Sequence, residues 1–338
     1  MKMAALSVKA TGVLAVSVLA GSVLRRVVTL RPALADVAPA LRTPLLALFT
    51  GDVTARSLPL SRAAMGITMS AGAGVTVREE VVPAAHPVPV LVVRPDAPHR
   101  PAPAILHIHG GGMIMGTPGF ELPLDGEWCR ELGVVAVSPD YRLAPEHPYP
   151  AAVDDVMETL RWMRAESAAL GIDPDRIAVA GASAGGGLAA AIAQRAFDEG
   201  IPLRGQVLVY PMLDDRTALD LSEKSPGYAT FVWNNRSNLF GWTSYLGRPP
   251  RLSDAPGYAA PARRTDLHGL APAWIGVGAI DLFHDETVDY AESLCSNDVR
   301  CELVVVPGMY HGADGLRRKH PSMVAFRRGP TEFLREVL

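Results

Sequence analysis

A serine between two glycines is the first feature of this sequence that could carry out chemistry. Ser183 lies within the pentapeptide 181–185 (GASAG), between a short apolar run, 177–180, and an alanine-rich stretch. The pattern G-x-S-x-G is typical of a nucleophile elbow, a sharp strand-to-helix turn that exposes the serine hydroxyl. Glycine is needed there because side chains would collide with the strand or the helix. So short a pattern also arises by chance, and the interpretation therefore requires a base, an acid and an oxyanion hole elsewhere.

Candidates for the base and the acid follow later predicted strands. A nucleophile elbow requires the chain order serine, acid, histidine, and these candidates occur in that order. Of the nine histidines, His311 is the one well placed after the last predicted strand. Asp281 comes directly after another predicted strand, whereas Asp285 would begin the next helix and suits a position at its N-terminus. We therefore predict a triad of Ser183, Asp281 and His311, with Asp285 as the alternative acid.

A glycine-rich loop supplies the candidate oxyanion hole. The segment 109–112 (HGGG) follows an apolar run, and the backbone N–H groups of Gly111, Gly112 and Ala184 are the predicted donors, each worth about 3 kcal/mol. A phosphate-binding loop is the competing interpretation, but it would end in Gly-Lys-Ser/Thr. We expect His109 to brace the loop. His107 and His109 are only two histidines, which do not by themselves make a metal site. We therefore expect no metal and no cofactor.

The elements that must position these residues alternate between strands and helices. Eight apolar or alternating runs predict strands: 75–82, 88–93, 104–109, 133–137, 177–180, 206–210, 273–278 and 301–306. Helical segments are predicted at 151–170, 184–199, 286–296 and 331–338. Strands with continuous apolar character that alternate with helices predict an α/β fold with a mostly parallel eight-stranded sheet and helices on both faces.

Two segments lie outside this alternation. Residues 1–70 carry helical signals, with Pro32 and Pro44 suited to a first helical turn. Residues 213–266 form an aromatic-rich insertion directly after a strand end, where α/β sheets place their ligands. We predict that both form a helical lid on a catalytic domain spanning 71–338, and that most of the aromatic side chains make a small core of the insertion itself.

Composition limits the partners and the compartment. The formal net charge is -3, so no basic patch for nucleic acid is expected. Three cysteines without metal-ligand spacing favour a reducing compartment and hence the cytoplasm, with a Cys295–Cys301 disulfide as the less favoured alternative. The expected partner is a small-molecule substrate, and the expected state is a monomer or a homodimer.

The N-terminus allows two interpretations. An apolar run, 12–24, follows Lys2 and Lys9 and is closed by arginines, at a length too short for a comfortable membrane span. The arginines argue against a cleaved signal peptide, whose cleavage region should lack positive charge. We expect 1–30 to form an apolar helix on the protein or on a membrane surface. The alternative is a signal or anchor that makes the protein exported or membrane-associated.

With these motifs together, the chain resembles the hormone-sensitive-lipase-like (bacterial type IV) carboxylesterases of the α/β-hydrolase superfamily. The matching stretches occur in family order: HGGG (109–112), SPDYRLAPEHPYPAAVDD (138–155), GASAGGG (181–187), DLFHDE (281–286) and HG (311–312). The resemblance implies an α/β-hydrolase fold and hydrolysis of carboxylic esters. It also implies that Asp281 is the acid and that 140–150 braces the oxyanion loop.

Four residues depart from the family pattern around the motifs: Met113, Ala182, Leu282 and Ala313. None of them removes a group of the triad, so they bear on substrate preference and not on reaction type. We expect short- to medium-chain acyl esters to be hydrolysed through an acyl-enzyme. The alternatives are an amidase or small-metabolite deacetylase on the same triad and, from another class, a non-catalytic protein that binds a small ligand.

Overall fold

The computed structural model describes residues 29–97, 101–220, 222 and 224–338. The predictions made for the apolar run 12–24 therefore lie outside the described residues. Within the described part of the chain, no helix is both long and apolar enough to cross a membrane.

Eight strands in the described residues form one sheet, as the alternation predicts. The strands are β1 (Val75–Val82), β2 (Val88–Pro95), β3 (Ala102–Ile108), β4 (Val135–Pro139), β5 (Ile172–Ala182), β6 (Gly205–Val209), β7 (Ala273–Gly278) and β8 (Cys301–Val306). Their order across the sheet is β1-β2-β4-β3-β5-β6-β7-β8. β2 pairs antiparallel with β1 and β4, and every other pairing is parallel. The predicted mostly parallel sheet is confirmed.

Helices connect the strands and precede the sheet. The α-helices are α1 (Arg31–Asp36), α2 (Leu58–Met65), α3 (Pro118–Leu132), α4 (Ala151–Ala165), α5 (Ser167–Leu170), α6 (Ala184–Asp198), α7 (Asn235–Leu246), α8 (His284–Ser296), α9 (Ala313–Leu316) and α10 (Pro321–Val337). Short 3-10 helices cover Pro39–Leu41, Pro44–Leu48, Asp215–Leu219 and Pro261–Arg263. Cys295 in α8 and Cys301 in β8 are free thiols, so no disulfide joins these elements.

Each face of the sheet has its own apolar core. In β5, Ile177 and Val179 belong to the core shared with α4, α6 and α8, whereas Ala178 and Ala180 belong to the core shared with α1, α3 and α10. Successive side chains of a strand point to opposite faces, so a strand buried on both sides needs a continuous apolar run. This is why the central strands were readable from the sequence.

Helix α3 was not predicted from the sequence. Pro123, Gly119 and Gly126 lie inside it and lower its intrinsic helix propensity. The two glycines are needed for packing, since a Cβ atom at Gly126 would stand 2.0 Å from the Ala71 carbonyl oxygen and one at Gly119 would stand 2.7 Å from Thr68 Oγ1. The chain that leads into β1 therefore crosses α3 at close range, and tertiary packing overrides the local preference.

The C-terminal helix begins earlier than predicted, at Pro321 rather than Thr331. Gly329 and Pro330, two residues of low helix propensity, both lie inside α10. A Cβ atom at Gly329 would stand 2.7 Å from the Trp274 ring, so glycine serves close packing against β7 there and does not end the helix.

The N-terminal segment and the insertion contact each other over the C-terminal ends of the strands. The Val232 N–H donates to the Phe49 carbonyl oxygen at 2.7 Å. The Val53 N–H donates to Ser237 Oγ at 2.9 Å. These bonds join the two segments that were predicted to form the lid. The division of the chain into a lid and a catalytic domain stays a prediction.

The expectation of a separate aromatic core in the insertion is wrong. Trp233, Trp242 and Tyr245 are buried in the core on one face of the sheet. Phe231 is buried in the core on the other face. The insertion therefore packs into the main body of the protein through these side chains, where the burial of large aromatic rings stabilises the fold.

Candidate active site

Ser183 occupies a strained turn between β5 and α6. Its backbone has φ 57° and ψ −121°, a conformation that non-glycine residues rarely adopt. The turn is tight: a Cβ atom at Gly181 would stand 2.2 Å from the Gly185 carbonyl oxygen, and one at Gly185 would stand 2.0 Å from the Ile108 carbonyl oxygen. The Ser183 N–H donates to the Val209 carbonyl oxygen at 2.9 Å. The pattern read from the sequence therefore has the geometry of a nucleophile elbow.

The structure brings Asp281 and His311 to this serine. Ser183 Oγ lies 3.0 Å from His311 Nε2. His311 Nδ1 lies 2.9 Å from Asp281 Oδ2 and 3.2 Å from Asp281 Oδ1. The Phe283 N–H donates to Asp281 Oδ1 at 2.9 Å, which fixes the carboxylate. All three side chains are buried, with 7 %, 1 % and 6 % of Ser183, Asp281 and His311 exposed. Because the carboxylate can only accept, Nδ1 carries the hydrogen and Nε2 is free to accept from the serine.

The alternative acid lies elsewhere. The side chain of Asp285 is 58 % exposed and contacts Lys224 and the His284 ring at the start of α8. It makes no contact with His311 among the hydrogen bonds of the described residues. Asp281 is held just after the end of β7, beside the strand that leads to His311. The sequence favoured it for this position directly after a strand.

Two aromatic rings hold the imidazole of His311 from the sides. The Tyr210 ring lies 4.6 Å from it, centroid to centroid, at an interplanar angle of 60°. The Phe283 ring lies 5.4 Å from it at 79°. Neither residue was picked out by the sequence analysis. Tyr210 directly follows β6, and its position at the end of a central strand is the only signal that could have pointed to it.

The glycine loop after β3 is packed from several sides. The carboxyl of Glu121 lies near the Gly110 backbone, and burial raises the pKa of this carboxyl. Gly111 and Gly112 have φ values of 123° and 63°. A Cβ atom at Gly112 would stand 2.3 Å from the Trp233 ring. The left-handed backbone at Gly111 and Gly112 and the close approach of the Trp233 ring both require glycine in the segment that carries the predicted donors.

Ala184 is the first residue of α6, and it follows the serine directly. The first N–H groups of an α-helix have no acceptor inside the helix, and they lie at its positive end. The Ala184 N–H is therefore placed beside the Ser183 hydroxyl with no helical partner.

His109 braces the glycine loop. Its Nδ1–H donates to the Gly110 carbonyl oxygen at 2.9 Å, and its ring stacks on Tyr141 with centroids 4.2 Å apart. The Tyr141 hydroxyl donates to the His109 carbonyl oxygen at 3.0 Å. Further along the same segment, the Ala144 N–H donates to the Met113 carbonyl oxygen at 2.9 Å. Burial lowers the pKa of His109 to about 4, so the ring is neutral near pH 7.

His107 belongs to a separate buried cluster. Its Nδ1 lies 2.6 Å from Asp125 Oδ1, and the Ser138 hydroxyl donates to Asp125 Oδ2 at 2.9 Å. Burial lowers the pKa of His107 and the Asp125 charge raises it, with a net raised pKa. No group of three or more His, Cys, Asp or Glu side chains with metal-binding geometry occurs in the described parts of the chain.

The site lies at the C-terminal ends of parallel strands. β3 leads into the glycine loop, β5 into the serine, β7 into the aspartate and β8 into the histidine. A buried chain of hydrogen bonds from a serine hydroxyl through an imidazole to a carboxylate is the arrangement that suits acyl transfer. Fold and geometry together define the class: an α/β protein with a nucleophile elbow.

Comparison with known proteins agrees with this class. A family model of the alpha/beta hydrolase fold matches residues 105–314. Carboxylesterase NlhH of Mycobacterium tuberculosis is 39% identical over 235 residues, 67% of this chain and 70% of that protein. Esterase LipI of the same species is 38% identical over 220 residues, 63% of this chain and 66% of LipI. The structure of a bacterial heroin esterase superposes with a TM-score of 0.82 at 34% identity, covering 90% of this chain and 98% of that one.

The chain belongs to the α/β-hydrolase fold family, as a hormone-sensitive-lipase-like carboxylic ester hydrolase. The resemblance drawn from the motifs is confirmed, and so is the fold that it implied.

Proposed function

We propose that the protein hydrolyses short- to medium-chain carboxylic esters with Ser183 as nucleophile, His311 as general base and acid, and Asp281 as the group that orients the imidazole. The single observation that carries the proposal is the buried relay of Ser183 Oγ, 3.0 Å from His311 Nε2, and His311 Nδ1, 2.9 Å from Asp281 Oδ2. Each distance is within hydrogen-bond reach, as a serine and its base require.

Acylation begins with attack of Ser183 Oγ on the ester carbonyl carbon. His311 Nε2 takes the hydroxyl proton, and the Asp281 carboxylate stabilises the imidazolium that forms. The negative charge moves to the carbonyl oxygen, where N–H groups of Gly111, Gly112 and Ala184 donate to it. Collapse of the tetrahedral intermediate breaks the ester bond, and Nε2 gives its proton to the departing alcohol.

Deacylation repeats these steps with water. His311 removes a proton from a water molecule, which attacks the acyl carbon, and the proton then returns to Ser183 Oγ as the acid leaves. The sum is one ester and one water converted to one acid and one alcohol. The side chains present are enough to balance both half-reactions.

The preference for small esters is supported by the closure of the site. Ser183 is only 7 % exposed, and Trp233 of the insertion lies against Gly112 of the oxyanion loop. A narrow, enclosed site favours esters that can enter as single molecules over an emulsified triglyceride. One structural relative is named a heroin esterase.

Hydrolysis of a series of p-nitrophenyl esters of increasing chain length tests the proposal. We expect Ser183→Ala to lower kcat by about 10⁴-fold or more on every ester. Ser253→Ala, which changes an exposed serine, is the matched control and should retain wild-type rates. A p-nitroanilide of the preferred acyl group separates esterase from amidase activity. Retention of most activity by Ser183→Ala contradicts the assignment.

A further inference from the structure

Two consecutive residues at the end of β6 contact the nucleophile and the base of the site. The Val209 carbonyl oxygen accepts from the Ser183 N–H at 2.9 Å. The next residue, Tyr210, places its ring 4.6 Å from the His311 ring. The distance between serine and histidine therefore depends on how this short segment is held.

Tyr210 is held in an unusual backbone conformation. Its φ is 35°, which is rare for a bulky residue, and its N–H donates to the Gly276 carbonyl oxygen at 2.6 Å. Its side chain is 7 % exposed. Strained backbone that the surrounding structure enforces is a recognised mark of functional positions. Here the strain turns the ring toward His311.

The hydroxyl of Tyr210 is anchored to the loop that carries the histidine. It donates to Asp314 Oδ1 at 2.8 Å, and Asp314 lies three residues after His311, in the first turn of α9. Burial and the neighbouring Asp314 raise the pKa of the Tyr210 hydroxyl well above its ordinary value, so it remains a donor. One tyrosine thus contacts the imidazole with its ring and the loop with its hydroxyl.

The histidine loop needs such an anchor. The loop between β8 and α9 contains Gly308 and Gly312, with φ values of 63° and 70°, on either side of His311. Asp281 and Ser183 each contact one ring nitrogen of His311, but these two hydrogen bonds lie along one line through the ring and leave it free to rotate about that line. Small displacements matter, because a shift of about 1 Å in a catalytic group lowers rates by about 10²-fold.

We propose that Tyr210 and Asp314 are a positioning pair for the esterase reaction, which holds the His311 imidazole at hydrogen-bonding distance from Ser183. The proposal rests on the proposed function. Asp314 acts as an acceptor of the tyrosine hydroxyl. Burial raises the pKa of Asp314. The positive charge of Arg327 lowers this pKa in part, whereas Glu121 is a second acid whose own pKa the Asp314 charge raises.

The test separates the hydrogen bond from the charge. Tyr210→Phe and Asp314→Ala each remove the bond, and both should lower kcat for p-nitrophenyl acetate by about 10- to 100-fold with KM within about twofold of wild type. Asp314→Asn keeps an acceptor oxygen and loses the charge, so it should retain most of kcat. The double variant Tyr210→Phe/Asp314→Ala should lose no more than either single variant, since the two act through one bond.

A second readout reports the nucleophile directly. The rate at which a fluorophosphonate probe labels Ser183 should fall in Tyr210→Phe by the same factor as kcat. The matched control is Tyr258→Phe, which removes a tyrosine-to-aspartate hydrogen bond of the same length, 2.8 Å to Asp198, far along the surface. It should leave both rates at wild-type values. All rates are measured well below the melting temperature of each variant, which is recorded alongside.

Two results overturn the proposal. One is unchanged kcat and labelling in Tyr210→Phe, even with a lowered melting temperature, because the pair would then only stabilise the fold. The other is an Asp314→Asn variant as impaired as Asp314→Ala, because charge and not the bond would then matter. Either result leaves the proposed function standing if Ser183→Ala is inactive, whereas an active Ser183→Ala contradicts the proposed function itself.

Discussion

The indole ring of Trp233 lies directly against the backbone of Gly112, so that a Cβ atom at Gly112 would stand 2.3 Å from the ring. The ring is 4 % exposed. The contact joins the insertion between β6 and β7 to the predicted oxyanion loop, two segments about 120 residues apart in the sequence. A substitution on either side of this contact therefore tests the role of that side in catalysis or in substrate preference.

Gly112→Ala should lower kcat by about 10²- to 10³-fold. The added methyl group has no space beside the Trp233 ring, and φ 63° disfavours a side chain, so the loop and its N–H donor must shift. Steady-state kinetics with p-nitrophenyl acetate measure the loss. Gly51→Ala is the control, since a Cβ atom there would meet nothing within 4 Å. Equal activity in both variants contradicts a role for Gly112 as a donor.

Trp233→Leu should shift chain-length preference toward longer acyl groups. Removing most of the indole opens space beside the oxyanion loop, and added apolar space is worth about 10-fold or more in kcat/KM per accommodated methylene. The ratio of kcat/KM for octanoate to that for acetate measures the change. Trp162→Leu alters a partly buried tryptophan of α4 and serves as control. An unaltered profile in Trp233→Leu shows that this ring does not bound the acyl site.

Asp281→Asn should lower kcat by about 10⁴-fold, because an amide that donates to His311 Nδ1 would favour the wrong tautomer. Asp285→Asn is the matched change at the alternative acid and should remain within a few-fold of wild type, since its exposed carboxylate contacts Lys224 instead. Both are measured as kcat on one ester. A larger loss in Asp285→Asn reverses the assignment.

Acid should destabilise the fold through His109. Its pKa is about 4 in the folded protein, lowered by burial, against about 6.5 in an unfolded chain. Between these values the unfolded state binds more protons, so stability falls as the pH falls from about 6.5 to 4, by about 3 kcal/mol in all. Urea unfolding at several pH values measures this dependence.

His109→Gln removes the titrating ring and should flatten that dependence, although it also lowers stability at pH 7 by loss of the stacking on Tyr141. His86→Gln changes an exposed histidine between β1 and β2 and should keep the wild-type slope. If the free energy of unfolding depends on pH as steeply in His109→Gln as in the wild type, the acid sensitivity comes from other groups.

Much of the fold could be predicted because its signals are local. β1, β7 and β8 begin and end where the apolar runs do. Helix α3 and the start of α10 could not, since Gly126 and Gly329 act there as packing residues. The sequence does not distinguish a glycine that ends a helix from a glycine that lets a carbonyl group or a ring pack closely against the helix. Only the neighbouring residue in the structure shows which role the glycine has.

The candidate site divides in the same way. Ser183 and His311 could be picked out because strand ends and turn glycines constrain them within a few residues of chain. For the acid, the same signals favoured Asp281 but left Asp285 as an alternative. Tyr210 and Trp233 could not be picked out, because nothing in their neighbouring residues tells which distant loop they meet.

By itself, the sequence determined the class of fold, the elbow and the chain order of the groups around it. It did so because short-range sterics and strand periodicity leave a pattern along the chain. Only the tertiary structure decided that Asp281 rather than Asp285 meets His311, that Tyr210 reaches both His311 and Asp314, and that Trp233 covers Gly112. Those contacts join residues up to about 120 positions apart, and their distances follow from how the sheet, the insertion and the loops pack in three dimensions.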